Sequence, residues 1–128
     1  QKVARSVYFL HDHLHEVPVL CIPLAGGRLD DRGTGDGGPA DRGNVFWQAS
    51  RWGSIIPTVW SFMLALRSRG LGSAWTTISL LAEREVAEVI GVPYEKWTQV
   101  GLFPIAYTVG TEFRDTPRRP GAEFATFI

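Results

Sequence analysis

Residues Leu66–Leu80 read LRSRGLGSAWTTISL, and how this stretch is parsed decides the fold. Two arginines, two glycines one residue apart and the run Trp75, Thr76, Thr77 mark the passage from a helix into an extended segment. Arg67 and Arg69 suit a helix C-terminus, where unpaired carbonyls leave partial negative charge, and Gly70 can supply the left-handed cap. The segment SAWTTISL that follows is β-prone. It is expected as a strand entered through the backbone freedom of Gly70 and Gly72.

The helix that ends here is expected to start at Ser54, a capping residue, with Pro57 in its first turn, where a missing N–H does little harm. From Ile55 to Leu66 its apolar residues, among them Val59, Trp60, Phe62, Met63 and Leu64, cover nearly the whole circumference. Such a helix is buried on all sides, either at the centre of the fold or at an interface with a second copy. Downstream, LAEREVAEVIGVP is a short helix with Glu83 and Glu85 in its first turn and Gly91 beyond its end. WTQVGLFPIAYTVG is then a strand, with a bulge or edge position expected at Pro104.

Upstream, Val3, Val7, Leu10 and Leu14 recur at helical spacing. That helix should end near His15, because Val17 precedes Pro18 and cannot easily stay helical. Val17–Leu24 (VPVLCIPL) is a continuous apolar run expected as a strand buried on both faces. In Ala25–Asn44, seven of twenty residues are glycine, so a mobile loop is expected over about 26–44. VFWQASRWG is an edge segment or a short helix. The tail from Thr111 carries Arg114, Arg118 and Arg119 among prolines, and either lies on a partner or frays.

Composition narrows the class. The 128 residues suit one domain, and 45% apolar residues suit a folded core. Thirteen basic residues balance thirteen acidic ones, which gives no field for nucleic acid or an anionic membrane. The apolar run around Ile55–Leu66 is too short to span a bilayer, and no signal peptide is evident. The lone Cys21 cannot form an internal disulfide and fits a reducing, cytoplasmic setting. His11, His13 and His15 alternate, so only His11 and His15 share a helix face, which is poor geometry for a metal. No Ser-His-Asp set or paired carboxylate stands out, and RGLGSA lacks the GxGxxG and GxxxxGK patterns, so no side-chain catalytic group is assigned.

Taken together, ALRSRGLGSAWTT, VGLFPIAYTVG and TPRRP resemble the C-terminal portion of nitroreductase-like FMN-dependent oxidoreductases, and HLHEVPVLCIPLAGG resembles an earlier strand of that family. The resemblance implies an α+β fold: a mixed β-sheet flanked by helices, part of a three-layer sandwich, with residues 1–128 as the C-terminal portion of one domain. It implies that FMN is the cofactor, NAD(P)H the donor, and a nitroaromatic, quinone or similar small molecule the electron acceptor. It also implies a homodimer, without nucleic acid or membrane as partner. Trp75, Thr76, Thr77 and Ile78 fall where the family runs backbone along the isoalloxazine ring. Arg118, followed by Arg119, falls where the family pairs a basic tail with the FMN phosphate.

Taken alone, the threonines are ordinary strand formers and the arginines a solvated tail. Thr116 stands where the family often has a second basic residue. The family's Arg-rich, Ser-containing N-terminal segment, which grips the phosphate and ribityl chain, has no counterpart among these residues. About half a flavin site is therefore expected, from a piece of a longer protein or a truncated one. The alternative is a non-catalytic flavin-binding or dimerisation module.

Overall fold

The computed structural model describes residues 2–29, 45–110, 112 and 117–126. The chain is α+β, as expected, with helices flanking small sheets. Helix α1 (Lys2–His13) passes into a 3-10 turn at Leu14–Glu16 and stops at the Val17–Pro18 step. Its Val7, Tyr8 and Phe9 are exposed.

The run Val17–Leu24 forms two short strands, β1 (Val19–Cys21) and β2 (Leu24–Gly26), rather than one. Further on come β3 (Leu71–Ser73), β4 (Trp97–Gln99) and β5 (Phe103–Tyr107). β1 pairs with β5 and β2 with β4, both antiparallel. Between Cys21↔Phe103 and Leu24↔Gln99, three residues (Val100–Leu102) face two (Ile22, Pro23). The two pairs are thus one long ribbon with an extra residue on one side, which is a β-bulge. The Val100 N–H donates to the Pro23 carbonyl at 2.9 Å across the shift. Gly101 takes φ +154° there, a conformation open to glycine and not to proline. The bulge expected at Pro104 therefore lies three residues earlier.

β5 is central in the sheet β1–β5–β3, so Pro104 does not hold an edge position either. Its tolerance follows from register. Leu71↔Tyr107 through Ser73↔Ile105 define the β3–β5 ladder, and Thr76↔Leu102 continues it in the same register three residues on. Thr76 and Leu102 exchange both hydrogen bonds, at 3.0 and 2.8 Å. Alternation by two puts the missing N–H of Pro104 opposite Ala74, and there the ladder lapses. SAWTTISL is accordingly not a regular strand. β3 falls on the glycine pair itself, the extended backbone runs on to Thr76, and a 3-10 turn takes over at Ile78–Ala82.

Helix α2 (Val45–Arg67) begins nine residues before Ser54 and absorbs VFWQASRWG. Ser54 caps nothing: its Oγ donates to the Ser50 carbonyl, 3.0 Å, one turn back. Pro57 lies mid-helix, opposite Gly53 four residues earlier. Packing rather than local propensity carries the helix through that weak point. Trp52, Ile55, Val59 and Met63 recur at helical spacing and meet Phe103, Val100, Cys21 and Ala25 in the core. The N–H of Gly70 (φ +76°) donates to the Arg67 carbonyl at 3.1 Å and closes the helix as expected.

Burial on every side is not found within one chain. Val59 and Leu66 are buried, but Trp60 is 58% exposed and Leu64 53%. β1 is likewise an edge strand with Val19 and Leu20 half exposed, not one buried on both faces. Helix α3 (Glu83–Val89) ends as expected, with Gly91 at φ +70° and the Val92 N–H returning to the Ala87 carbonyl at 2.9 Å. No helix among the described residues is long and apolar enough to cross a membrane.

At the start of the glycine-rich segment, Gly26–Leu29 lies against the strand β4 and the residues before it. The Gly27 N–H donates to the Lys96 carbonyl at 2.7 Å, and Leu29 is 2% exposed. The rest of that expected loop, residues 30–44, and Arg114 and Thr116 in the tail lie outside the described residues.

Candidate functional site

Where the β3–β5 ladder reopens, the chain presents Trp75, Thr76, Thr77 and Ile78. The Thr76 N–H and carbonyl are taken by Leu102. In an extended chain the flanking groups point the opposite way, so the N–H groups of Trp75 and Thr77 face the open edge of β3. Neither has an acceptor among the described residues. The Ile78 N–H makes a long contact, 3.4 Å, with Thr76 Oγ1.

Trp75 is anchored from behind. Its indole Nε1–H donates to the Val100 carbonyl at 3.3 Å, and its ring lies 5.5 Å from Phe103, centroid to centroid. A Cβ on Gly101 would fall 2.8 Å from Trp75 Cδ1 and 3.0 Å from the Thr76 carbonyl. The bulge glycine thus has a second role: it makes room for the ring that fixes the edge segment. Beside this segment a shallow hollow of about 210 Å³ is lined by Ser73, Ala74, Pro104 and Tyr107.

Arg119 Nε donates to Glu123 Oε2 at 2.8 Å, and its guanidinium lies 4.5 Å from the Phe124 ring centre. Both partners belong to the 3-10 turn Gly121–Glu123 or the residue after it. Arg118 is exposed and makes no ion pair among the described residues. No hydrogen bond or ion pair among the described residues joins Arg118 or Arg119 to Trp75–Ile78. No such bond ties the two sets of sequence-predicted residues together.

Sequence reasoning missed a polar cluster at the β2–β4 end of the ribbon. Arg28 Nη1 and Nη2 donate to Glu83 Oε1 and Oε2 at 3.0 and 2.8 Å, a two-pronged pair that is largely buried. Arg28 also donates to the Trp97 carbonyl at 2.9 Å and lies 3.9 Å above the Tyr94 ring, whose vicinity Arg84 shares at 4.1 Å. Glu83 Oε1 accepts the Gln99 N–H at 2.8 Å, and Gln99 Nε2 donates back to the Glu83 carbonyl at 2.8 Å. Thr98 Oγ1 accepts from the Leu29 N–H and donates to the Gly27 carbonyl. Glu83 had read as a residue complementing a helix dipole, and Arg28 as part of a loop. Nothing in their spacing of 55 residues announces a pair.

The histidines engage neighbouring carboxylates at the surface, His13 with Glu16 at 3.0 Å and His11 with Asp12 at 3.2 Å. Among the described residues no group of three or more His, Cys, Asp or Glu could hold a metal ion. Cys21 packs against the core, and burial pushes its thiol above the ordinary thiol range.

Compared with known proteins, residues 3–107 match the family model described as Nitroreductase family. Neither the curated proteins nor the solved structures give a match.

Proposed function

The chain belongs to the nitroreductase family, and from that premise we propose that it forms part of an FMN site that passes electrons from NAD(P)H to a nitroaromatic, quinone or similar acceptor. The family consists of flavin-dependent oxidoreductases that generally bind FMN and assemble as homodimers. The observation that carries the proposal is the open edge at Trp75–Ile78, where the N–H groups of Trp75 and Thr77 lack acceptors among the described residues beside a tryptophan pinned to the core.

Those groups fit a flavin. The ring's edge offers acceptors at N5 and O4, which unpaired N–H groups can meet without displacing an internal hydrogen bond. Bound FMN would supply the two-electron chemistry. The protein's part is to hold the ring's edge with the N–H groups of Trp75 and Thr77, which stabilise negative charge gained on reduction. The carbonyl of Val100 and the bulge at Gly101 keep that segment from moving. Arg118, without an ion pair among the described residues, would meet the phosphate through its planar guanidinium. Arg119 is already engaged by Glu123 and Phe124 and would contribute less. The exposed Trp60, Phe62 and Leu64 of α2 would be covered by a second copy.

The test is a titration of FMN fluorescence with the purified chain, followed by addition of NADPH to the flavin-bound sample. Binding that weakens on Arg118→Ala, with bleaching of the flavin band, supports the reading. A flavin that binds and does not bleach identifies a non-catalytic module. Equally tight binding by Arg118→Ala would mean the phosphate is held elsewhere.

A further inference from the structure

A cleft of about 510 Å³ opens between the first half of α2 and the strap Leu24–Leu29, a volume typical of sites for small molecules. Its lining shares no residue with Trp75–Ile78 or the tail. Leu24, Leu29 and Ile55 form apolar walls, Trp47 adds a flat aromatic surface, and Arg51 brings the one charge among the lining residues.

Arg28, Arg84 and Arg119 each pair with a glutamate, whereas Arg51 Nη1 is enclosed and has no hydrogen-bond partner among the described residues. Buried guanidinium nitrogens are normally satisfied, and leaving one unpaired is costly. An anion entering the cleft would satisfy it, since the long arginine stem can swing Nη1 into the space the side chain already lines.

The polar side of the cleft narrows the ligand further. Ser54 and Thr58 stand one turn apart on α2, and their hydroxyls donate to the Ser50 and Ser54 carbonyls at 3.0 Å each. Their protons are committed, so towards the cleft they offer lone pairs, which suit a hydroxyl donor on the ligand.

We infer that this cleft binds a small aromatic carboxylate, with the carboxylate on Arg51 and the ring between Trp47 and the apolar wall. The inference rests on no flavin, so its failure and that of the oxidoreductase reading are separate events. Calorimetric titration with 2-hydroxybenzoate, in the absence of flavin, tests it. Saturable one-site binding is expected, and Arg51→Gln should weaken it at least tenfold, as expected for loss of a charge-assisted hydrogen bond. Arg51→Lys should recover part of that loss, and uncharged 2-hydroxybenzamide should bind the unaltered protein at least tenfold more weakly. Ser54→Leu, which fills the cleft while keeping the charge, should also abolish binding. It decides the matter, with the benzamide comparison, should Arg51→Gln fail to fold. Absence of saturation, equal binding of the benzamide, or displacement by an equal concentration of inorganic phosphate would overturn the inference.

Discussion

Two arginine–glutamate pairs in this chain use the same chemistry to different ends. Arg28 and Glu83 are 11% and 15% exposed; Arg119 and Glu123 are 68% and 46% exposed. The first pair joins segments 55 residues apart, and Glu83 also satisfies the Gln99 N–H. The second spans one helical turn of a surface tail. In the interior each charge depends on the other, because water cannot replace a lost partner. At the surface water does replace it, and the pair is worth little. What matters about an ion pair is therefore what it closes off and what else it holds.

The largest expected effect comes from breaking the interior pair. Glu83→Ala takes the carboxylate from a largely buried guanidinium and the side-chain acceptor from the Gln99 N–H, and should cost about 3–5 kcal/mol of unfolding free energy in a urea titration. A loss as small as that at a surface pair would show that water reaches Arg28 and would erase the contrast. Next comes Gly101→Ala, which places a methyl against Trp75 and the Thr76 carbonyl at a backbone angle alanine rarely adopts. A loss of about 2–3 kcal/mol is expected, with a changed tryptophan emission spectrum as the local readout. An unchanged spectrum would mean that Trp75 is not seated on the bulge.

The tail sharpens the comparison from the other side. Arg118→Ala should leave stability unaltered and weaken FMN retention by about 1.5–3 kcal/mol, measured by equilibrium dialysis. Arg118→Lys should recover only part, since an ammonium lacks the two-pronged geometry. Smallest of all, Arg119→Ala should shift stability by less than about 0.5 kcal/mol and FMN binding less than Arg118→Ala does. If it lowers the midpoint of unfolding as much as Glu83→Ala, the tail is part of the fold rather than an appendage.

Much of the fold was legible because local chemistry and final structure agree. The stop after His13, the left-handed glycines at 70 and 91, and the short acidic-fronted helix at Glu83 all follow from groups within a turn of one another. The misreadings share one cause. Ser54 and Pro57 have the local pattern of a helix start, yet α2 runs through them because Trp52, Ile55 and Val59 gain more by packing on Phe103 and Val100 than the proline costs. SAWTTISL has strand propensity, but the residue that ends its regular pairing is Pro104, thirty positions beyond Ala74. Its effect appears only once the register of β5 is known. The same register moved the bulge from the proline to Gly101.

The site divides along that line. By itself the sequence determined the family, through the joint occurrence of ALRSRGLGSAWTT, VGLFPIAYTVG and TPRRP, and with it which residues to inspect. Motif words are short and contiguous, so they survive being read in one dimension. Only the tertiary structure decided that, among the described residues, Trp75 and Thr77 have N–H groups without acceptors, Arg28 closes on Glu83, and Arg51 has an unpaired nitrogen in a cleft. Each of these depends on which distant carbonyl or carboxylate comes within about 3 Å, the range over which a hydrogen bond forms. That proximity is set by strand register and by the packing of α2, not by spacing along the chain.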